Sequence, residues 1–434
     1  MKRKIYSTLL NWKNTKDFKP IMLLGARQVG KTYIINEFCK NEYKNFISVN
    51  LFERKDIVYL YKSNLTSIDK FNKLKVLLNY DIEIDDTILF IDEIQESEEL
   101  ISELKYFCEK HNSIRIICAG SLLGVKLKRS HFSFPVGKVT MINMYPMDFE
   151  EFLLSLNEEL LINEIKNCYN KNIQMSEPIH LKAMELYRLY LCVGGMPESI
   201  NNIISVNRDI INYDTDILKN IVSSYSKDMN KYVLSSTEAL KIENTYRSIP
   251  NQLANESNKF QFSKITNGSK SREYVSSIDW LESSNMIMKS YLVKVPSIPL
   301  KGFVKNNYFK LFLNDVGILS SILELKFADV LSDNLSLYKG IVAENYVASS
   351  LMYNGFSLYY WISGGKAEVD FLIYTKDGII PVEVKSSTSV RSKSLDVYIK
   401  NYNPKYSIRI SGRNFGFDNG IKSIPLYAVF CIKG

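Results

Sequence analysis

Histidine is nearly absent from this chain: His111, His131 and His180 are the only three in 434 residues. None stands at metal-ligand spacing from another, which leaves little for zinc or for Ser-His-Asp chemistry. The six cysteines (Cys39, Cys108, Cys118, Cys168, Cys192 and Cys431) are scattered with no C-x-x-C pair. Neither a disulfide framework nor a zinc knuckle is indicated, and a reducing compartment fits. Runs of about eighteen apolar residues, the length of a membrane span, are also lacking. The basic start Met1-Lys-Arg-Lys is followed by Asn11, Trp12, Lys13 and Asn14, which interrupt any apolar signal core. A cytoplasmic protein with no membrane partner is expected.

Acidic residues are scarce in one place. Between Lys385 and Gly434 only Asp396 and Asp418 oppose Lys385, Arg391, Lys393, Lys400, Lys405, Arg409, Arg413, Lys422 and Lys433, in a chain of net charge +8. Such asymmetry suggests a polyanionic partner such as nucleic acid, or else a solvated face that keeps the protein soluble. At 434 residues the chain is long enough for several domains.

What is present is most specific near the start. Ile21-Met-Leu-Leu-Gly-Ala-Arg-Gln-Val-Gly-Lys-Thr32 is an apolar strand, a glycine loop and the opening of a helix. Gly25, Ala26, Arg27, Gln28, Val29, Gly30, Lys31 and Thr32 fill the pattern G-x-x-x-x-G-K-[ST]. In this pattern backbone amides cradle phosphates at a positively polarised helix N-terminus. Lys31 is expected to meet the β/γ-phosphates of ATP, and Thr32 the Mg²⁺. The alternative is an ordinary glycine turn.

Further on, Thr87-Ile-Leu-Phe-Ile-Asp-Glu-Ile94 reads as a buried parallel strand that delivers two carboxylates at its C-terminal end. In a nucleotide hydrolase Asp92 would hold the Mg²⁺ through water and Glu93 would polarise the attacking water. Asn45–Leu51, Ile114–Ser121 and Val139–Tyr145 read as further strands, and Ser97–His111 as an amphipathic helix. Ser121, at a polar strand tip, is a candidate γ-phosphate sensor, or simply part of a turn. Five strands with interleaved helices predict a doubly wound α/β domain.

The loop, Leu-Phe-Ile-Asp-Glu-Ile-Gln, Ala-Gly-Ser121 and Tyr145-Pro-Met-Asp-Phe-Glu-Glu-Phe152 together resemble the AAA-type P-loop ATPases that carry a C-terminal DUF4143 domain. The resemblance extends over nearly the whole chain. It implies that the Ser121 strand lies between the loop strand and the Asp92 strand. It also implies that the helical stretch after Glu150, broken by Val193-Gly-Gly-Met-Pro-Glu198, is the lid of the ATPase. Arg129 and Lys138 are the candidates for a trans-acting cation, and self-association is left open. From Glu238 to Pro299 the order of elements resembles a winged helix, although its second helix, Ser271–Glu282, has only Arg272 as a base.

Toward the C-terminus, Leu337–Tyr353 has helical periodicity, and Leu358–Trp361, Glu368–Tyr374 and Ile379–Lys385 read as strands. Strand alternation places Glu383 and Lys385 on one face, opposite Val382 and Val384, and likewise joins Glu368 with Asp370 opposite Val369 and Phe371, so that the charges converge on one side. Two carboxylates on adjacent strands can hold a divalent cation beside a lysine. The pattern looks like the PD-(D/E)xK nuclease fold, with Glu344, Asp370 and Glu383 matching its Mg²⁺ or Mn²⁺ positions and Lys385 its catalytic lysine. The alternative is a degenerate core whose charges pair with one another.

The organisation predicted is thus residues 1–149, a P-loop AAA-like core; 150–235, a helical lid; 236–300, a winged-helix-like module; and 301–434, a restriction-endonuclease-like α/β domain. The expected function is ATP hydrolysis coupled to a metal-dependent nuclease-like domain acting on nucleic acid. The alternative is an ATP-dependent switch that binds DNA or a protein partner without cutting.

Overall fold

The computed structural model describes residues 1–111, 113–129, 134–231, 233, 235–254, 259–332, 338–364, 367–386 and 393–434. His131 and Arg391, and the side chain of Arg129, lie outside them. The chain divides into two compact units, one formed by Lys2–Tyr145 with Ser283–Asn285, the other essentially by Pro146–Glu282 and Met286–Gly434.

The first unit is built on five parallel strands: β1 (Ile21–Leu24), β2 (Asn45–Asn50), β3 (Thr87–Asp92), β4 (Arg115–Ala119) and β5 (Thr140–Asn143). Their order across the sheet is β2-β3-β4-β1-β5. The strand leading to Ser121 therefore lies between the loop strand and the Asp92 strand, as expected. Every residue of β1 and β3 is buried, which explains why both read as unbroken apolar runs rather than alternating ones: helices cover both faces.

The helix Glu98–Lys110 shows how local signals fix an element. The Ser97 hydroxyl accepts the Leu100 N–H at 3.2 Å, Glu98 and Glu99 occupy the first turn and Lys110 the last, all favourable to the helix dipole. Leu100, Ile101, Leu104 and Phe107 then face the core with Phe71, Leu74, Leu89 and Ile116. Each such side chain contributes about 1.5–3 kcal/mol on burial.

The second unit opens with the helices Phe149–Ser155, Glu159–Lys171, Glu177–Val193, Pro197–Ser205 and Asp216–Lys231. The Gly-Gly turn after Val193 has a packing reason. Gly194 has φ +69° and, with Gly195, lies against Asp315, Gly317 and Met147, where any Cβ would overlap a neighbour. Asp315, fully enclosed, caps the helix Val316–Ile322 through the Ile318 N–H at 2.9 Å and also accepts the Gly195 N–H at 2.6 Å.

One mixed sheet of eight strands runs through the rest of this unit. It contains β6 (Ile287–Val293), β7 (Val304–Leu313), β8 (Tyr359–Ile362), β9 (Glu368–Thr375), β10 (Gly378–Val384), β11 (Ser407–Ser411), β12 (Gly416–Asp418) and β13 (Ile421–Pro425). Their order is β12-β13-β11-β10-β9-β8-β6-β7. β6, which falls in the stretch expected as a separate winged-helix-like module, pairs with β7 and is joined to the C-terminal strands by parallel pairing with β8. The expected limits at 235/236 and 300/301 thus fall inside one compact unit.

Candidate functional site

In the first unit the glycine loop leaves β1 at Gly25, where a Cβ would overlap the Met144 carbonyl. It closes at Gly30, φ +92°, the N-cap of the helix Lys31–Glu42. No side chain caps that helix, so its N-terminus faces the loop as an open anion cradle. Lys31, 8% exposed, donates from Nζ to the carbonyls of Gly25 and Ala26, both at 2.8 Å. Arg27 and Gln28 are exposed at the tip, whereas Ala26 and Val29 are buried.

Thr32, at the start of the helix, and Asp92, at the end of β3, meet: the Thr32 hydroxyl donates to Asp92 Oδ2 at 2.9 Å. The other oxygen, Oδ1, accepts the Glu93 N–H at 3.0 Å. Burial pushes the Asp92 carboxyl above its ordinary value, and the Thr32 hydroxyl pulls it back. A hydroxyl and a buried carboxylate beside an anion cradle are the donor set that suits Mg²⁺ bound with a nucleotide. Glu93 has φ +53° and is half-buried, which turns the chain off β3 into the short helical turn Ile94–Glu96. Ser121 is half-buried just beyond β4. Lys138 is engaged by Glu109 at 2.8 Å.

Two residues of this site were not singled out from sequence. Arg3 reaches the loop from the N-terminus, donating from Nη1 to the Val29 carbonyl at 2.8 Å and from Nη2 to the Tyr145 carbonyl at 2.7 Å. Gln95 donates its side-chain amide to the Glu93 carboxylate. Arg3 lies far from the motif in sequence and carries no signal; Gln95 was visible only as part of the quoted segment.

In the second unit the strand pattern brings Asp370, Glu383 and Lys385 together. Asp370 Oδ2 accepts the Val384 N–H at 2.7 Å, tying β9 to β10. Glu383, 3% exposed, pairs with Lys385 at 2.7 Å. Burial, then the charges of Glu383 and Glu344, push the Asp370 carboxyl well above the usual range.

Glu344 also meets a lysine. Lys310, on β7 and 8% exposed, places Nζ 2.9 Å from Glu344 Oε1 and 2.6 Å from Glu368 Oε1. Burial alone would depress this ammonium, yet the charges of Glu344, Glu368 and Asp370 raise it above its ordinary value. The cation at these carboxylates is a lysine. Arg409 stands opposite Glu383 on β11, its Nε buried without an acceptor among the described residues. Among the described residues no three His, Cys, Asp or Glu side chains gather as a metal-holding group. Glu344 and Glu383 nonetheless lie close enough to Asp370 for their charges to act on its carboxyl.

The basic tail is likewise partly committed. Lys405 pairs with Asp377 at 2.5 Å, Lys385 with Glu383, and Lys422 lies over the Tyr169 ring at 3.8 Å. Lys393, Lys400 and Arg413 are exposed. On the helix Ser271–Ser283, Arg272, Glu273 and Asp279 are all exposed. Among the described residues no helix is long and apolar enough to cross a membrane.

An α/β unit with a parallel sheet and a phosphate-type loop defines the first unit as a P-loop fold. Comparison with known proteins agrees: residues 17–153 match the AAA domain family, and residues 339–429 the DUF4143 family. Two separate stretches of the chain are thus similar to an AAA domain and to a DUF4143 domain. Between them, residues 184–329 match a domain of unknown function, DUF8612, which spans both limits expected at 235/236 and 300/301. No curated protein matches the sequence. Solved structures resemble the chain loosely. A Walker-type ATPase of Pyrococcus abyssi is 16% identical over 74% of this chain and 95% of its own, with a TM-score of 0.43. The Aeropyrum pernix ORC2 protein in ADPNP-ADP complexes is 12% identical over 77% and 92%, with a TM-score of 0.34. The Aeropyrum pernix ORC1 protein in complex with DNA is 12% identical over 76% and 92%, with a TM-score of 0.27. Likenesses this loose say nothing of what the present chain binds.

Proposed function

We propose that the chain binds and hydrolyses ATP at the glycine loop and uses the cycle as a switch on its C-terminal domain. The observation that carries this is the contact between Thr32 and Asp92, residues 60 apart in sequence, beside an uncapped helix N-terminus. Gly25–Thr32 would hold the phosphates, Lys31 would exchange the Gly25 and Ala26 carbonyls for the β/γ-phosphates, and Thr32 and Asp92 would hold Mg²⁺. The ion supplies charge neutralisation for the transferred phosphoryl group. Glu93 takes a proton from the attacking water, and Ser121 senses the γ-phosphate from the tip of β4. Glu93→Gln tests this: nucleotide binding survives while turnover falls about 10²-fold or more. Unchanged turnover would remove Glu93 from this role.

For the C-terminal domain, the pairing of Lys310 with Glu344 and Glu368 favours a nuclease-like domain that does not cleave. It would engage nucleic acid through its exposed bases, or a protein partner. A cleaving domain, with Asp370, Glu383 and Lys385 as its active site, is supported by their meeting on adjacent strands and is the reading to test against. The purified protein is incubated with plasmid and single-stranded DNA, with and without ATP, Mg²⁺ and Mn²⁺. Intact DNA throughout is the expected result. Cleavage that disappears in Asp370→Ala and Glu383→Ala would overturn it.

A further inference from the structure

Gln95 sits one residue beyond the pair Glu93-Ile94 and is 4% exposed. Its side-chain NH₂ donates to Glu93 Oε2. A carboxylate only accepts hydrogen bonds, so the amide must present its nitrogen to Glu93 and turn Oε1 the other way. That oxygen points at the turn following β4: a Cβ on Gly120 would overlap it. It is buried and accepts no hydrogen bond among the described residues. Leaving a buried amide oxygen without a donor costs about 1–3 kcal/mol.

These facts share one explanation. The side chain is packed to grip Glu93 with one end and to await a donor at the tip of β4 with the other. The glycine at position 120 leaves the room for it, and Ser121 follows immediately. We propose that Gln95 is the positioning residue of the ATPase site: it fixes the Glu93 carboxylate in the direction of the attacking water and links it to the Ser121 turn. This rests on Glu93 being the water-polarising group. An untethered glutamate just past a strand end samples several rotamers, and one that aims wrongly reacts rarely even when nucleotide is fully bound.

The experiment compares Gln95→Met, similar in shape but without the donor, with the parent full-length chain and with Glu93→Gln. Gln95→Met is expected to lower kcat for ATP about tenfold while leaving the KM, the affinity for ATP and the melting temperature unchanged. In the Glu93→Gln background the same substitution should add no further loss, since there is no carboxylate left to aim. Gly120→Ala, which displaces the amide from the other side, should reproduce the kcat defect and serves if Gln95→Met does not fold. If Glu93→Gln keeps full turnover, the Glu93 assignment fails. If Glu93→Gln is inactive but Gln95→Met turns over within twofold of the parent, the Gln95 proposal alone is overturned. An additive loss in the double variant overturns it equally, by returning Gln95 to a packing role.

Discussion

Replacing Lys310 by methionine removes the cation from a buried cluster without removing much volume. In the native chain the ammonium lies 2.9 Å from Glu344 and 2.6 Å from Glu368, and Asp370 is close enough to raise its pKa as well. After the substitution two carboxylates face one another across a space with no counter-charge. Removing one partner of a buried pair costs about 3–5 kcal/mol. For a unit of this size each kcal/mol moves the midpoint by about 2–4 °C, so the melting temperature of Lys310→Met should fall by about 10 °C at pH 7. Calorimetry reads the drop directly. Neutralising the carboxylates as well, with Glu344→Gln and Glu368→Gln, should restore most of it, because a buried pair replaced whole is far less costly than one broken. Should Lys310→Met melt within about 2 °C of the parent, Lys310 is not the internal counter-ion. The three-carboxylate cation site would then be the better account of these residues.

Further outcomes follow from the same geometry. Lys31→Ala should weaken ATP binding by about 3 kcal/mol, roughly a hundredfold in Kd; affinity equal to the parent in an equilibrium binding assay would refute the loop assignment. Burial raises the Asp315 carboxyl from 3.8 to about 6. Between these values the folded state holds a proton that the unfolded state has lost, so stability falls as pH rises through this window, by about 3 kcal/mol in all. Urea midpoints of Asp315→Asn measured at pH 4 and pH 7 should lack that component, and an unchanged difference would sink it. Arg3→Ala, which frees the Val29 carbonyl, should reduce ATP affinity about tenfold while sparing thermal stability of the Pro146–Gly434 unit; undiminished affinity would mean that Arg3 does not hold the loop.

The parts legible in the sequence are those whose cause is local. β1 and β3 announce themselves as apolar runs because neighbouring helices cover both faces, and the loop is spelled by residues in contact with one another. The ends of elements moved by a residue or two: the Asp92 strand stops at Asp92 rather than at Ile94 because Glu93 adopts φ +53°. β7 went unread because its first half, Val304–Tyr308, is mostly exposed and polar, so no periodicity marks it. With β7 unread, Lys310 stayed hidden, since its partners Glu344 and Glu368 come from a helix and a strand much later in the chain. The middle of the chain reads locally as helix, helix and strand, an order that resembles a winged helix. What it lacks locally is β8, the strand that takes β6 into a larger sheet.

That shared sheet bears on how the protein can be divided. β8 is four residues long and sits between β9 and β6, with Tyr359 and Leu292 among the residues that register across the seams. An excised piece covering only 339–429 would begin its sheet at β8, with the edge that β6 normally covers laid open and Tyr360 and Trp361, both buried in the full chain, near it. An uncovered, apolar edge strand is a template for pairing with other copies. The boundary drawn by family likeness and the boundary drawn by hydrogen bonding are therefore different boundaries, and a fragment cut at the first should aggregate where one begun at Pro146 should not.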